Sequence, residues 1–209
     1  MKPAPFVLGV DLDGVVGDYE EAFRHVVAAE LGIDPSEIPQ QDHFSFSESQ
    51  WPIDSGSQFD ELHRIAVAKY RMLANMDVFP GASDVLWRLS DAGVYIRVIT
   101  HRLCVNWDHD IAVADTVSWL QHPREDGRPR IPYRDLCFVA DKTDVGADLY
   151  IDDAPHNVLA LRRARAETAC FDAAYNRHIP GLRVHSWDDI ETLVNSRLLE
   201  RVLLDELEA

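Results

Sequence analysis

Carboxylates recur in this 209-residue chain where short apolar runs stop. The first group, Asp11-Leu12-Asp13-Gly14-Val15, follows the run Phe6–Val10. One carboxylate at a strand end and another in the next turn can face one site, with Gly14 permitting a tight path. Hard oxygen donors in such a turn suit Mg²⁺, and an ordinary acidic turn is the competing reading. An EF-hand fits poorly, because the turn follows an apolar strand and lacks the twelve-residue ligand spacing. The second group is Val98-Ile99-Thr100-His101. The Thr100 hydroxyl can donate to a phosphoryl oxygen or cap the next turn, and His101 either meets substrate or faces solvent. The third group is Asp141-Lys142-Thr143, followed by Asp148-Leu-Tyr-Ile-Asp152-Asp153. Lys142 is a cation in an acidic stretch, placed to neutralise a phosphate or an attacking carboxylate, or else to make a surface ion pair. Adjacent aspartates at a strand end are costly unless a cation or hydrogen bonds compensate them. Asp152-Asp153 therefore points to a metal more strongly than Asp11 does alone, with a solvated acidic loop as the alternative.

These residues need elements to hold them. Apolar runs predict strands over Phe6–Val10, Val94–Ile99, Leu136–Ala140, Leu149–Ile151 and Thr168–Phe171, with an edge strand near Arg183–His185. Helical spacing predicts helices over Tyr19–Leu31, Gln58–Leu73, Ala82–Ala92, Trp107–Leu120 and Pro155–Arg165, and one or two over Asp188–Leu207. Pro35–Gly56 is polar and carries Phe44, Phe46 and Trp51, the texture of a loop-rich insertion or lid. Pro123–Pro132 reads as a charged linker. Short strands alternating with helices predict an α/β fold, a mostly parallel sheet covered on both faces. Asp11, Asp13, Thr100, Asp152 and Asp153 then share the carboxyl edge of that sheet, where ligands bind.

Composition narrows the partners. With 20 Lys+Arg against 36 Asp+Glu, the net charge of −16 argues against a nucleic-acid polymer as partner. A small anionic ligand remains compatible, because a metal and a few cations reverse the potential within a pocket. No apolar stretch approaches the eighteen or so residues of a membrane span, and the start does not resemble a signal peptide. Cys104, Cys137 and Cys170 are scattered and odd in number, as expected of buried thiols in a reduced, cytoplasmic compartment. Trp87, Trp107, Trp119 and Trp187 read as packing residues.

Taken together, Asp11-Leu-Asp-Gly-Val-Val-Gly-Asp-Tyr19, Phe79-Pro-Gly-Ala82, Asp141-Lys-Thr-Asp-Val-Gly-Ala-Asp-Leu-Tyr-Ile-Asp-Asp153 and His185-Ser-Trp187 resemble the 5′(3′)-deoxyribonucleotidase family of the haloacid-dehalogenase-like phosphatases. The resemblance implies a three-layer Rossmann-like core, residues 1–17 and 79–209, with a small helical cap inserted at 18–78. It implies a Mg²⁺-dependent phosphomonoester hydrolase acting on deoxyribonucleoside monophosphates. Asp11 matches the nucleophile that forms an aspartyl-phosphate. Asp13 matches the group that protonates the leaving alkoxide and then activates water. Thr100 and Lys142 match the residues that bind the phosphoryl oxygens, and Lys142 also orients Asp11. The implied metal ligands are Asp11, the backbone carbonyl of Asp13, and one of Asp152 and Asp153. Tyr19 matches an aromatic residue that sandwiches the base, with Phe44, Phe46 or Trp51 as the rest of the wall or as a small core of the insertion. The chain departs from the family pattern at His101, where a Ser is usual, and at Ala140, where an Arg is usual. Those departures keep open a phosphatase for another small phosphorylated metabolite. A non-catalytic binding protein on the same fold is a third reading. The apolar side of the last helix, Leu198, Leu199, Val202, Leu203 and Leu207, either packs on the core or supports a homodimer.

Overall fold

The computed structural model describes residues 4–103 and 108–208. Its strands are β1 (Val7–Val10), β2 (Tyr95–Thr100), β3 (Asp135–Phe138), β4 (Leu149–Asp152), β5 (Thr168–Phe171) and β6 (Arg183–Val184). They pair in parallel in the order β3-β2-β1-β4-β5-β6. The winding reverses direction between β1 and β4, so a crevice opens beyond their carboxyl ends. Val10 sits opposite both Val98 and Ile151, which carries Asp11 one residue past the paired edge. β4 and β5 are buried along their whole length, as expected for strands with helices on both faces.

The helices are α1 (Tyr19–Leu31), α2 (Gly56–Ala68), α3 (Met72–Asn75), α4 (Ala82–Asp91), α5 (His109–Gln121), α6 (Pro155–Arg163) and α7 (Trp187–Glu208). Alternation along the strands sends side chains to opposite faces of the sheet. Leu8, Val10, Val98 and Ile151 join Leu86 and Leu89 of α4 and Ile190 and Val194 of α7 in the main core. Ile99 and Tyr150 form a separate cluster with Leu161 of α6.

Between β1 and α4 the chain makes an excursion that carries α1, α2 and α3. Its two ends lie side by side: Gly17 bridges Val78, the Asp18 amide donates to Asp77 O at 2.9 Å, and Phe79 N donates to Val16 O at 2.9 Å. Asp18 caps α1 by accepting from Glu21 N, and Gly32 ends the helix in the left-handed region at φ 67°. The polar stretch after α1 is held by its few apolar residues. Ile38, Phe46, Trp51 and Ile53 are buried, and Trp51 stacks on Phe23 with ring centroids 5.9 Å apart.

Two expectations are corrected, and one left open is decided. The helix predicted over Gln58–Leu73 is two helices, because Arg71 turns left-handed at φ 52° and sends its guanidinium to the buried Asp115 of α5. That break is tertiary, since the apolar spacing runs straight across it. The helix predicted from Trp107 begins at His109, and Trp107 and Cys104 lie outside the described residues. The last segment is one helix, and core packing explains only part of its apolar side. Leu193 and Leu198 lie against the core, whereas Leu199, Val202, Leu203 and Leu207 are exposed. Among the described residues, no helix is long and apolar enough to cross a membrane. Of the other expected packing residues, Trp119 and Trp187 are buried and Trp87 is half-buried. Trp87 Nε1 donates to Pro129 O at 2.8 Å, and Trp187 Nε1 donates to Val15 O at 3.1 Å.

Trp119 of α5 fastens the returning end of the excursion, donating from Nε1 to Met76 O at 2.7 Å from a fully buried position. Removing so large a buried ring leaves a cavity and an unpaired carbonyl. Trp119→Ala is expected to cost about 3–5 kcal/mol of unfolding free energy, and Trp119→Phe clearly less. Urea denaturation measures both.

Candidate active site

The site begins with the turn after β1. Asp11 N donates to Ile151 O at 3.0 Å, and Val16 N and Gly17 N both donate to Leu12 O, folding Leu12–Gly17 back on itself. Gly14 takes φ 79° in that turn. A Cβ there would stand 2.7 Å from Asp153 Cγ, so this position needs glycine for its backbone and for its neighbour.

From the last residue of β4 comes Asp152, from the residue after it Asp153, and from a short 3₁₀ turn at Lys142–Asp144 comes Lys142. Lys142 Nζ lies 2.7 Å from Asp11 Oδ2 and 2.6 Å from Asp152 Oδ2, joining the tips of two adjacent strands. Asp152 also accepts from Ala154 N at 2.9 Å and from Asn157 Nδ2 at 3.3 Å. Tyr175 donates its hydroxyl to Asp153 Oδ2, while Asp153 Oδ1 is buried with no hydrogen-bond partner. All four charged groups are nearly sealed, at 8% exposure for Asp11, 3% for Lys142, 1% for Asp152 and 4% for Asp153.

Ligand oxygens of Asp11, Asp152 and Asp153 lie within 4.8 Å of one another. With Lys142 against the group, three carboxylates and one ammonium would leave two negative charges in a buried space if all were ionised. Burial pushes the Asp11 carboxyl up to about 7; Lys142 opposes this, while Asp152 and Asp13 add to it. Burial likewise pushes Asp153 well above the usual carboxylate range, reinforced by Asp152 and Asp11. Lys142 is raised, its burial outweighed by Asp11 and Asp152. An oxygen-only donor set with surplus negative charge and one orphaned carboxylate oxygen fits a hard divalent cation.

The other expected residues are distributed around this cluster. Thr100 is buried at the end of β2, and its Oγ1 accepts from Arg102 N at 3.3 Å. The Asp13 carboxylate stands outside the three-aspartate cluster and is held by Arg102, with Nη2–Oδ1 2.6 Å and Nε–Oδ2 3.1 Å. His101 is half-buried, and its Nε2 has no partner. Its ring stacks on His156 of α6 at 6.2 Å. Burial and the Lys142 charge lower the His101 pKa; burial, then Lys142 against an opposing Asp152, lowers that of His156.

A cavity of about 1170 Å³ opens over Asp11, Asp13 and Asp153 and runs under the excursion. Tyr19, Phe44 and Phe46 all line it. Phe44 is 44% exposed and meets His156 and Tyr175 edge-on, at 5.1 and 5.7 Å. Phe46 is buried among Phe23, Trp51 and Phe59, so it serves the core of the excursion as well as the wall. Trp51 is buried and does not line the cavity.

Residues 5–200 match the family described as 5′ nucleotidase, deoxy (Pyrimidine), cytosolic type C protein. The chain belongs to this family. It is therefore a phosphatase of the nucleotidase class. A Chlorobaculum tepidum protein named "Putative 5′(3′)-deoxyribonucleotidase" is 42% identical over 196 residues, 94% of this chain and 93% of that one. Among solved structures, a haloacid dehalogenase-like family protein from Streptococcus pneumoniae superposes with a TM-score of 0.59 at 16% identity, covering 91% of this chain and 98% of its own. A HAD-superfamily hydrolase from Geobacter sulfurreducens gives 0.52 at 16% identity, covering 91% and 100%. These structures establish the haloacid-dehalogenase-like fold for this nucleotidase-family chain.

Sequence reasoning missed Arg102, Asn157, His156 and Tyr175. Arg102 had a signal, being a cation two residues beyond Thr100 at the active edge of the sheet. Tyr175 had none, because only the fold brings the turn after β5 against Asp153.

The cluster links stability to pH. A carboxyl raised from 3.8 to about 7 on folding stabilises the cation-free protein below its unfolded value and loses that contribution as pH rises through 7. The cation-free melting temperature is expected to fall between pH 5.5 and 8, and MgCl₂ to raise it more at pH 8 than at pH 5.5. Gly14→Ala should abolish the magnesium-dependent increment. Thermal melts at both pH values, with and without the salt, check all three outcomes.

Proposed function

We propose that this chain is a Mg²⁺-dependent phosphomonoesterase that works through an aspartyl-phosphate on Asp11 and takes deoxyribonucleoside monophosphates. The observation that supports this most strongly is Asp11 itself, a carboxylate held by Lys142 at the floor of a cavity with Asp13 beside it. The name of the 42% identical relative supports the substrate class.

Asp11 Oδ attacks phosphorus as the ester P–O bond breaks, and the proton on Asp13 passes to the leaving oxygen. Water then attacks the same phosphorus, gives its proton to the Asp13 carboxylate and releases Asp11. Both carboxyls end as they began. Lys142 fixes Asp11 and offsets the repulsion between a carboxylate and an anionic ester. The Thr100 hydroxyl is assigned to a phosphoryl oxygen. His101, whose Nε2 has no hydrogen-bond partner, is assigned a contact to substrate. Asp11, the Asp13 carbonyl and one of Asp152 and Asp153 would hold the metal ion, which when bound neutralises charge on the transferring phosphoryl group.

In this reading residues 18–78 act as a cap over a core of 1–17 and 79–209, with Tyr19, Phe44 and Phe46 facing the base. The scattered thiols Cys137 and Cys170 suit a reducing cytoplasm. Self-association through the exposed end of α7 is the remaining expectation, and sedimentation tests it.

A second reading, a phosphatase for another small phosphorylated metabolite, is favoured by His101 and Ala140. A panel of nucleotides and sugar phosphates, assayed with and without Mg²⁺, separates the two. dUMP and dTMP are expected among the best substrates, and finding them among the poorest rejects the nucleotide assignment. Asp11→Asn should fold normally and lose at least about 10³-fold in turnover. Full magnesium-dependent phosphate release by that variant overturns the nucleophile assignment.

A further inference from the structure

Arg102 is the second buried cation of the site, and nothing in the reaction scheme above uses it. Its side chain is 2% exposed, whereas its partner Asp13 is 28% exposed and lines the cavity. One end of the pair is therefore anchored in the interior and the other opens onto substrate. The anchoring is over-determined. Nη1 donates to Thr116 Oγ1 at 2.9 Å, and that hydroxyl is fixed by donating to Ala112 O at 2.7 Å. The guanidinium carbon lies 5.7 Å from the Trp119 ring centroid, and Nη2 comes within 3.8 Å of Met76 Sδ. With its orientation set by α5, the fork meets Asp13 through Nε and Nη2 together, at 3.2 Å and 2.6 Å from Oδ1.

The two buried cations divide the carboxylates between them. Lys142 holds Asp11 and Asp152, and Arg102 holds Asp13. An ammonium tolerates several directions, but a guanidinium fork on a carboxylate fixes its plane as well as its position. Proton transfer requires that control, because donor and acceptor must lie within hydrogen-bond reach at each step.

We propose that Arg102 is the positioning residue for the proton-transfer carboxyl, holding Asp13 where it serves first the leaving oxygen and then the attacking water. This rests on the proposed role of Asp13, so the test keeps the two apart. An alkyl phosphate such as dUMP needs a proton on its leaving oxygen, whereas 4-nitrophenolate leaves without one. Hydrolysis of the aspartyl-phosphate needs Asp13 with either substrate.

Arg102→Ala is expected to lower dUMP turnover by about 10²-fold, with kcat affected more than KM. With 4-nitrophenyl phosphate the same variant should release a rapid burst of about one nitrophenolate per active site, then turn over slowly. Dependence on the leaving group is what a merely structural residue would not produce. Equal losses on both substrates without a burst, or no loss on either, overturn the proposal for Arg102. Asp13→Asn serves as the reference. If it shows neither the burst nor the loss, the role of Asp13 itself fails. If it shows both and Arg102→Ala shows neither, only the positioning role fails. Should Arg102→Ala not fold, Thr116→Val removes the anchor of Nη1 but keeps the charge pair, and a several-fold change of the same pattern is expected. Arg102→Lys should restore less than half of wild-type dUMP turnover, since it returns the charge without the fork, and full restoration also overturns the proposal.

Discussion

The ion pair of Lys142 with Asp11 and Asp152 is the interaction on which the site depends. β1 and β4 are hydrogen-bonded neighbours, so their carboxyl ends must bring Asp11 and Asp152 together. Two buried carboxylates at that spacing repel each other, and without a shared cation they would take up protons or push the strand ends apart. Lys142 removes part of the conflict by bridging them. The remainder, concentrated around Asp153 with its unpartnered oxygen, fits a hard divalent cation. The polarity of the site is thus a consequence of sheet order.

The excursion between β1 and β2 supplies the walls that the sheet edge lacks. Its ends are tied together at Gly17 and Val78, and Trp119 pins its return, so the inserted helices stand over the crevice on a short, defined base. Gly17 leaves room for this arrangement, because a Cβ there would sit 2.7 Å from Met76 Sδ. The aromatic residues carried by the insertion have two duties. Phe23, Phe46, Trp51 and Phe59 pack against one another and make its small core, while Tyr19 and Phe44 present rings to the cavity.

Much of this was legible in the chain because the physics was local. Apolar runs of three to six residues ending in Asp or Thr mark the strands and their active edge together, and a buried parallel strand admits few other patterns. Helical spacing matched α1 to the residue over Tyr19–Leu31, and in the structure Asp18 caps it and Gly32 stops it. What sequence could not carry was tertiary. The left-handed Arg71 breaks a helix for the sake of Asp115, 44 positions away, and no periodicity signals that. Asp13 is the instructive case at the site. Spacing placed its backbone beside Asp11, but the direction of its side chain depends on Arg102, whose own direction is set by Thr116 and Trp119 of α5.

Buried ion pairs explain little of a protein's stability, since desolvation of both partners consumes most of their attraction. An apolar filling would serve the core beneath the sheet edge at least as well as Lys142 with two aspartates, or Arg102 with one. Both pairs nevertheless sit where the main core meets the cavity, each with its cation at 3% side-chain exposure or less and with one carboxylate, Asp11 or Asp13, lining the cavity. The physical reason to retain them is direction. Each cation converts the rigidity of the packed interior into a fixed orientation for a carboxylate at the surface of the pocket. Lys142 is itself set by the short turn that Asp141 caps, and Arg102 by α5. The proposed mechanism needs one carboxyl aimed at phosphorus and the other at the departing and arriving oxygens, and two independent buried cations allow those aims to be set separately.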